Sequence, residues 1–316
     1  MKNKEKKRDF ISFADFTRDE ICDILLLAAR LKKKRTSHVL RGKTVGLIFQ
    51  KPSTRTAVSF AVGVIQLGGH PLILNADILQ IKRGESPRDT GRVLSRYLDA
   101  IVIRAHRHDE IMEMAGFADI PVINGLTDLE HPCQVLADLL TIMEYKKFKN
   151  PKALKGFRLA YLGDGNNVAH SWMLAAAMFG MKLSLACPKG YEPRADYVGL
   201  AQNANTVGGG SISVMADPKL AVQGAEAVYT DVWVSMGQEA ESQKRSAIFS
   251  PYQLNKSLLS LAKPGALVMH CLPAHRGEEI TEEVLEGPNS VVFDQAENRL
   301  HVQKAVLTAL LTRKRA

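Results

Sequence analysis

The chain of 316 residues is 46% hydrophobic and 24% charged, with a mean hydropathy of -0.09, a soluble globular composition long enough for two domains of about 150 residues. It holds no apolar run of the ~18 residues a membrane span needs and no signal-peptide core, and its four scattered cysteines (Cys22, Cys133, Cys187, Cys271) form neither a metal knuckle nor a disulfide framework, so a cytoplasmic setting is expected. The formal charge of +9 gathers in residues 2–8 (+4), 30–35 (+5) and 313–315 (+3), leaving −3 elsewhere; without interleaved aromatics these are solvated clusters, which argues against nucleic acid while favouring an anionic substrate.

In chain order, Thr17-Arg18-Asp19-Glu20 reads as a capping box that opens a first helix, with Ile21, Ile24, Leu25 and Ala28 at helical spacing. Past Gly42 strands and helices alternate. Strands are expected at Thr44–Phe49, 71–74, 100–103 and 122–124, and helices at 53–67, 89–98 and 132–144. A polar stretch at 146–155, containing Asn150-Pro151, marks a boundary and gives domains 1–145 and 146–316. Beyond it strands are expected at Arg158–Leu162, Lys182–Ala186, 211–214, Ala227–Thr230 and 266–270. A final helix at about 295–312 is expected to pack back on the first domain. This rhythm implies an α/β protein of two domains, each a parallel β-sheet flanked by helices. Ligands of such sheets gather beyond the carboxyl ends of strands, where most of the unusual polar clusters fall.

The first cluster, Gln50-Lys51-Pro52-Ser53-Thr54-Arg55-Thr56, ends a strand and opens a helix. Free helix N–H groups, hydroxyls and a guanidinium there would hold an anion, although an N-cap serine beside a surface arginine reads the same. Arg104 follows a buried strand and needs an anionic partner or solvent; His106 and His108 beside it lack a third ligand for a metal. His131-Pro132-Cys133-Gln134 sits at a loop-to-helix junction, with His131 placed to donate to a carbonyl oxygen.

Gly163-Asp164-Gly165-Asn166-Asn167-Val168 resembles the start of a dinucleotide fingerprint. Val168 stands where a third small residue is needed, and the next strand ends in Ala186-Cys187-Pro188-Lys189 with no acid for a ribose, so a nicotinamide enzyme is disfavoured. In 231–237, Asp231 with Ser235 and Gly237 suits a ligand bearing an ammonium group. His270-Cys271-Leu272-Pro273 ends a strand with a thiol at the sheet edge, open to tuning or simply inert.

Taken together these segments resemble the aspartate/ornithine transcarbamylase family over essentially the whole chain, with 231–237 and 270–273 resembling its ornithine branch. The resemblance implies transfer of a carbamoyl group from carbamoyl phosphate to the δ-amine of L-ornithine, giving L-citrulline and phosphate. It implies no cofactor and no metal, and homotrimers or multiples of trimers with sites between subunits. Ser53, Thr54, Arg55 and Thr56 would hold the phosphate, helped by Gln80 from a neighbouring subunit, while Arg104, His131, Pro132, Cys133 and Gln134 would bind the rest of carbamoyl phosphate. Asn167, Asp231, Ser235 and Met236 would bind ornithine, and Cys271, Leu272 and Arg299 would close around the donor. Cys271, as a thiolate near Asp231, would take the amine's proton, with Arg104 and His131 stabilising the oxyanion. A carbamoyltransferase for another amine such as putrescine is the alternative. One departure stands out: the family usually follows Ser-Thr-Arg-Thr with an arginine and, four residues later, a glutamate, whereas this chain has Ala57 and Ala61. The joint loss reads as a missing structural i,i+4 ion pair.

Overall fold

The computed structural model describes residues 7–75, 79–234 and 241–312, without the side chains of 204–208. Its strands are β1 (Thr44–Phe49), β2 (His70–Asn75), β3 (Ala100–Arg104), β4 (Val122–Leu126), β5 (Arg158–Leu162), β6 (Lys182–Ala186), β7 (Ser211–Met215), β8 (Ala227–Thr230) and β9 (Leu267–His270). The helices are α1 (Arg18–Lys33), α2 (Thr54–Gln66), α3 (Pro87–Leu94), α4 (His108–Phe117), α5 (Pro132–Tyr145), α6 (Asn167–Phe179), α7 (Ala195–Gly208), α8 (Pro218–Val222), α9 (Ser242–Phe249), α10 (Lys256–Leu259), α11 (Glu282–Leu285) and α12 (Val292–Leu311). Two compact units result, Met1–Leu140 with Asn298–Ala316, and Thr141–Glu297. The chain passes between them inside α5 and inside α12.

The first unit carries a parallel sheet in the order β2-β1-β3-β4. Its central strands are apolar runs with buried interiors, as strands covered on both faces must be. The expected capping box forms: the Thr17 hydroxyl accepts from the Glu20 N–H and the Glu20 carboxylate accepts from the Thr17 N–H. Arg30, Lys32 and Lys33 occupy the last turn of α1, where cations meet the negative end of the helix dipole, which accounts for much of the 30–35 cluster. Late in α12, fully buried Lys304 donates to the carbonyls of Leu31 and Arg35 and to Gln66 Oε1.

Three expectations shift here. The helix expected at 89–98 begins at Pro87, because the Ser86 hydroxyl caps it by accepting from the Asp89 N–H at 3.1 Å, and it ends at Leu94. Arg104 is the last residue of β3, paired with Phe49, rather than the residue after it. Helix α4 goes unannounced, since only Ile111, Met114 and Ala115 of its ten residues are buried.

The second unit carries a parallel sheet in the order β7-β6-β5-β8-β9. Under it Ala160, Leu162, Val228 and Val268 pack with Ile280, Val284, Leu285 and Val292. Helix α6 is buried on nearly every side, from Val168 to Phe179, and ends at Gly180 in the left-handed conformation that a C-terminal glycine supplies at least cost.

Both sheets reverse strand order once. From β1 the chain runs outward to β2 and returns on the other side with β3; from β5 it runs to β6 and β7 and returns with β8. Such reversals are where open parallel sheets place ligands, here beyond the carboxyl ends of β1 and β3 and of β5 and β8.

Candidate active site

In the first unit, the Ser53 hydroxyl accepts from the Thr56 N–H and starts α2 directly beyond β1, with Arg55 half-buried in the first turn. Arg104 is buried at the end of β3, and its carbonyl accepts from the Gln50 N–H. His131 and Gln134, at the start of α5, are also buried. Arg299, 3% exposed on α12, joins them: Nη2 donates to Thr56 Oγ1 at 2.7 Å, and Nη1 donates to His131 Nε2 at 3.1 Å and Gln134 Oε1 at 2.6 Å.

These bonds fix protonation. Because His131 Nε2 accepts from a guanidinium, the neutral ring carries its proton on Nδ1. Burial, then Arg299, Arg104 and Arg55 in turn, hold the ring well below its ordinary value of 6.5. One guanidinium bonded to a neutral histidine and two more bearing on it electrostatically call for an anion. Burial and then Arg104 also lower the Lys51 ammonium, against the opposing pull of Asp128. The Gln134 amide is oriented from behind, its Nε2 donating to Asp138 Oδ1 at 2.8 Å so that Oε1 faces Arg299.

Other residues expected at this site have plainer settings. Pro132 is the first residue of α5, and Cys133 is fully buried, its thiol donating to the Asn124 carbonyl and pushed up to about 12 by burial. Thr54 is exposed at the start of α2, and Gln80 is exposed on a 3-10 turn at Gln80–Arg83. His106 and His108 each have a local partner, the Gln50 carbonyl and the Thr127 hydroxyl.

In the second unit Asn167 opens α6, Asp231 lies buried just beyond β8, and Cys271 lies half-buried just beyond β9. Asp231 Oδ1 accepts from the Val232 N–H at 2.8 Å and from the Cys271 thiol at 2.9 Å, while Oδ2 accepts from Asn166 Nδ2 at 2.8 Å. Cys271 is thus placed as a thiol donor to Asp231, and a thiolate at that distance would face the carboxylate's charge. Half-buried Leu272 has φ 56, and its N–H donates to His270 Nδ1. Glu279 engages His270 Nε2 at 3.0 Å, both side chains being fully buried. Although ligand-type atoms of Asp231, His270 and Cys271 lie within 4.8 Å of one another, both ring nitrogens of His270 are already used by the fold. Ser235 and Met236 lie outside the described residues.

Sequence reading missed Asp138, Asn166 and Arg245. Arg245, 3% exposed on α9, forms an ion pair with Asp164 beyond β5 and donates through Nε to the Trp233 carbonyl beyond β8. Its guanidinium carbon lies 4.8 Å and 4.9 Å from the ring centres of Tyr191 and Phe249. Burial raises the Asp164 carboxyl, Arg245 opposes this, and Asp231 adds to the rise. Between these loops Gly165 admits no side chain: a Cβ there would sit 2.2 Å from the Pro193 nitrogen. Of the two glycines that resembled a dinucleotide fingerprint, Gly165 thus serves close packing, and Gly163 supplies a positive φ of 118.

Residues 8–144 match the aspartate/ornithine carbamoyltransferase carbamoyl-P binding domain, and residues 155–310 match the Asp/Orn binding domain of the same family. An ornithine carbamoyltransferase of Symbiobacterium thermophilum is 55% identical over 310 residues, covering 97% of this chain and 98% of that protein. One from Geobacillus stearothermophilus is 53% identical, covering 97% and 98%. The solved ornithine carbamoyltransferase of Pyrococcus furiosus superposes with a TM-score of 0.92 at 51% identity, covering 97% of each chain. The anabolic enzyme of Campylobacter jejuni gives 0.91 at 38% identity, covering 96% of this chain and 98% of that one. With both family domains matched in order and relatives this similar over nearly its full length, the chain belongs to the aspartate/ornithine carbamoyltransferase family and is a transferase.

Proposed function

We propose that the protein transfers the carbamoyl group of carbamoyl phosphate to the δ-amine of L-ornithine, releasing L-citrulline and phosphate. The observation that carries the donor half is the buried cluster in which Arg299 donates to Thr56, His131 and Gln134, with Arg55 in the first turn of α2 and Arg104 at the end of β3 also opposing protonation of His131. The phosphate binds at the N-terminus of α2, against Ser53, Thr54, Arg55 and Thr56. Arg104 and the Nδ1–H of His131 take the carbamoyl oxygen, and Gln134 and Arg299 complete the pocket. For the acceptor half, Asp231 supplies a carboxylate to an ammonium group, and relatives at 53–55% identity carry the name ornithine carbamoyltransferase. Asn167, Ser235 and Met236 are assigned to the same half-site.

The reacting amine must be neutral, which for a lysine-like pKa of about 10.4 costs roughly 4.6 kcal/mol at pH 7. Asp231 and Cys271, hydrogen-bonded at 2.9 Å, lie together as the acceptor for the proton the amine sheds as the C–N bond forms. Oxyanion charge grows against Arg104 and His131, and phosphate departs against Arg55 and the helix N-terminus.

Assembly as homotrimers is part of the same proposal. Edge strand β2 is exposed on both faces, with Leu72 and Ile73 outward, and neighbouring α2 exposes Val58 and Ile65. Apolar side chains on an unpaired sheet edge are a liability that a second copy would cover. A cytoplasmic setting completes the proposal; no helix among the described residues is long and apolar enough to cross a membrane. Putrescine, the alternative acceptor, lacks the amino-acid end that Asp231 and its neighbours suit. The test is carbamoyl transfer with ornithine, putrescine, N-acetylornithine and aspartate supplied separately, and ornithine is expected to react far faster than the others.

A further inference from the structure

We propose that Asn166 is the positioning residue that sets the orientation of Asp231 toward Cys271, with Tyr161 locking the Asn166 amide; this rests on the reading of Asp231 and Cys271 as the amine half-site. Four side chains from the carboxyl ends of three adjacent strands form one hydrogen-bonded line. Tyr161 lies on β5, Asn166 at the turn into α6, Asp231 beyond β8 and Cys271 beyond β9.

The direction of every bond in the line is determined. Asn166 Oδ1 faces three donors: the Val168 N–H at 2.9 Å, the Ala169 N–H at 3.2 Å and the Tyr161 hydroxyl at 3.0 Å. Turning the amide over would set N–H against those donors, so Nδ2 is committed to Asp231 Oδ2 at 2.8 Å. With Oδ2 held, Oδ1 is left to the Val232 N–H and the Cys271 thiol. Tyr161 stays a donor because it is fully buried, which pushes its hydroxyl well above its usual value, and its ring stacks on Tyr229 with centres 5.6 Å apart.

The competing explanation is that Asn166 serves only as the N-cap of α6, and side-chain chemistry separates the two. Asp and Ser cap a helix about as well as Asn, but neither has an amide N–H to give to a carboxylate. Asn166→Ser and Asn166→Asp thus keep the cap and lose the donor, and the aspartate also adds a like charge beside Asp231.

Both variants should unfold within a few degrees of the parent. The KM for ornithine should rise roughly tenfold or more in Asn166→Ser, and further in Asn166→Asp, while the KM for carbamoyl phosphate stays within about twofold. Tyr161→Phe, which removes one of the three donors holding the amide, should give a smaller rise of the same kind. Iodoacetamide supplies a readout that needs neither substrate. Cys22, Cys133 and Cys187 are buried, so alkylation of the folded protein reports Cys271. Asn166→Asp should slow it about threefold or more, because added negative charge disfavours the thiolate. If Asn166→Asp keeps the parent's ornithine KM and alkylation rate, Asn166 is only a cap and the proposal fails. It fails equally if the KM values of both substrates rise together. A parent protein that transfers nothing to ornithine would sink the proposed reaction instead, and the alkylation rates would still decide the geometry.

Discussion

His131 is the histidine whose protonation this fold opposes through burial and three guanidiniums at once. The unfolded chain takes up a proton as pH falls through about 6.5, and the folded chain refuses it, so the site costs nothing at higher pH and destabilises the protein increasingly below that value. His131→Asn should therefore lose less Tm than the parent between about pH 7 and about pH 5.5; equal losses in thermal scans would contradict the assignment. Arg245 makes the opposite kind of demand. Its removal leaves Asp164 buried without its cation, so Arg245→Leu should cost about 3–5 kcal/mol, and adding Asp164→Asn should restore part of that. Denaturant titration of the single and double variants checks this, and purely additive losses would show that the pair is not coupled. Arg55, Arg104, His131, Asp231 and Cys271 stand out in the sequence by their places beyond strands or at helix starts, but each has a bland reading there, and it is the family resemblance that singles them out. Asn166 and Arg245 do not stand out, since their partners lie 65 and 81 residues away. Asp138 could have been found: it stands four residues after Gln134 on one helix, where a glutamine and an aspartate meet.

Strand positions were legible as short β-branched and aliphatic runs between turn residues, and the caps at Thr17 and Ser53 follow the sequence signals for helix starts. Where the reading slipped, a local signal was weak or passed over: the Ser86-Pro87 start of α3, and the thin apolar face of α4. Ala57 and Ala61, both half-buried and one turn apart on α2, bear on function. Phosphate binding on this account rests on Arg55 and the N-terminus of α2, so the family's arginine at 57 is dispensable as an anion ligand. Joint Ala57→Arg and Ala61→Glu substitution should leave the KM for carbamoyl phosphate within about threefold, whereas a gain in affinity of about tenfold, roughly 1.4 kcal/mol, would assign position 57 to the anion site.

At the scale of the whole chain, alternating elements foretold two parallel sheets, but periodicity does not reveal strand order. The orders β2-β1-β3-β4 and β7-β6-β5-β8-β9 are what gather Ser53 with Arg104, and Asn166 with Asp231, at the two points where the order reverses. The dinucleotide-like run, already disfavoured in the sequence by Val168 and the missing acid, has a packing reason for its second glycine, since Gly165 lies against Pro193. The basic clusters say little about the reaction, because the functional arginines lie outside them. The central claim is that a carbamoyl group passes to ornithine, and purified protein given carbamoyl phosphate with ornithine or aspartate tests it most directly. The account predicts citrulline and phosphate released in equal amounts with ornithine, and at most a trace of product with aspartate. Equal turnover of the two acceptors, or phosphate released without citrulline, would contradict it.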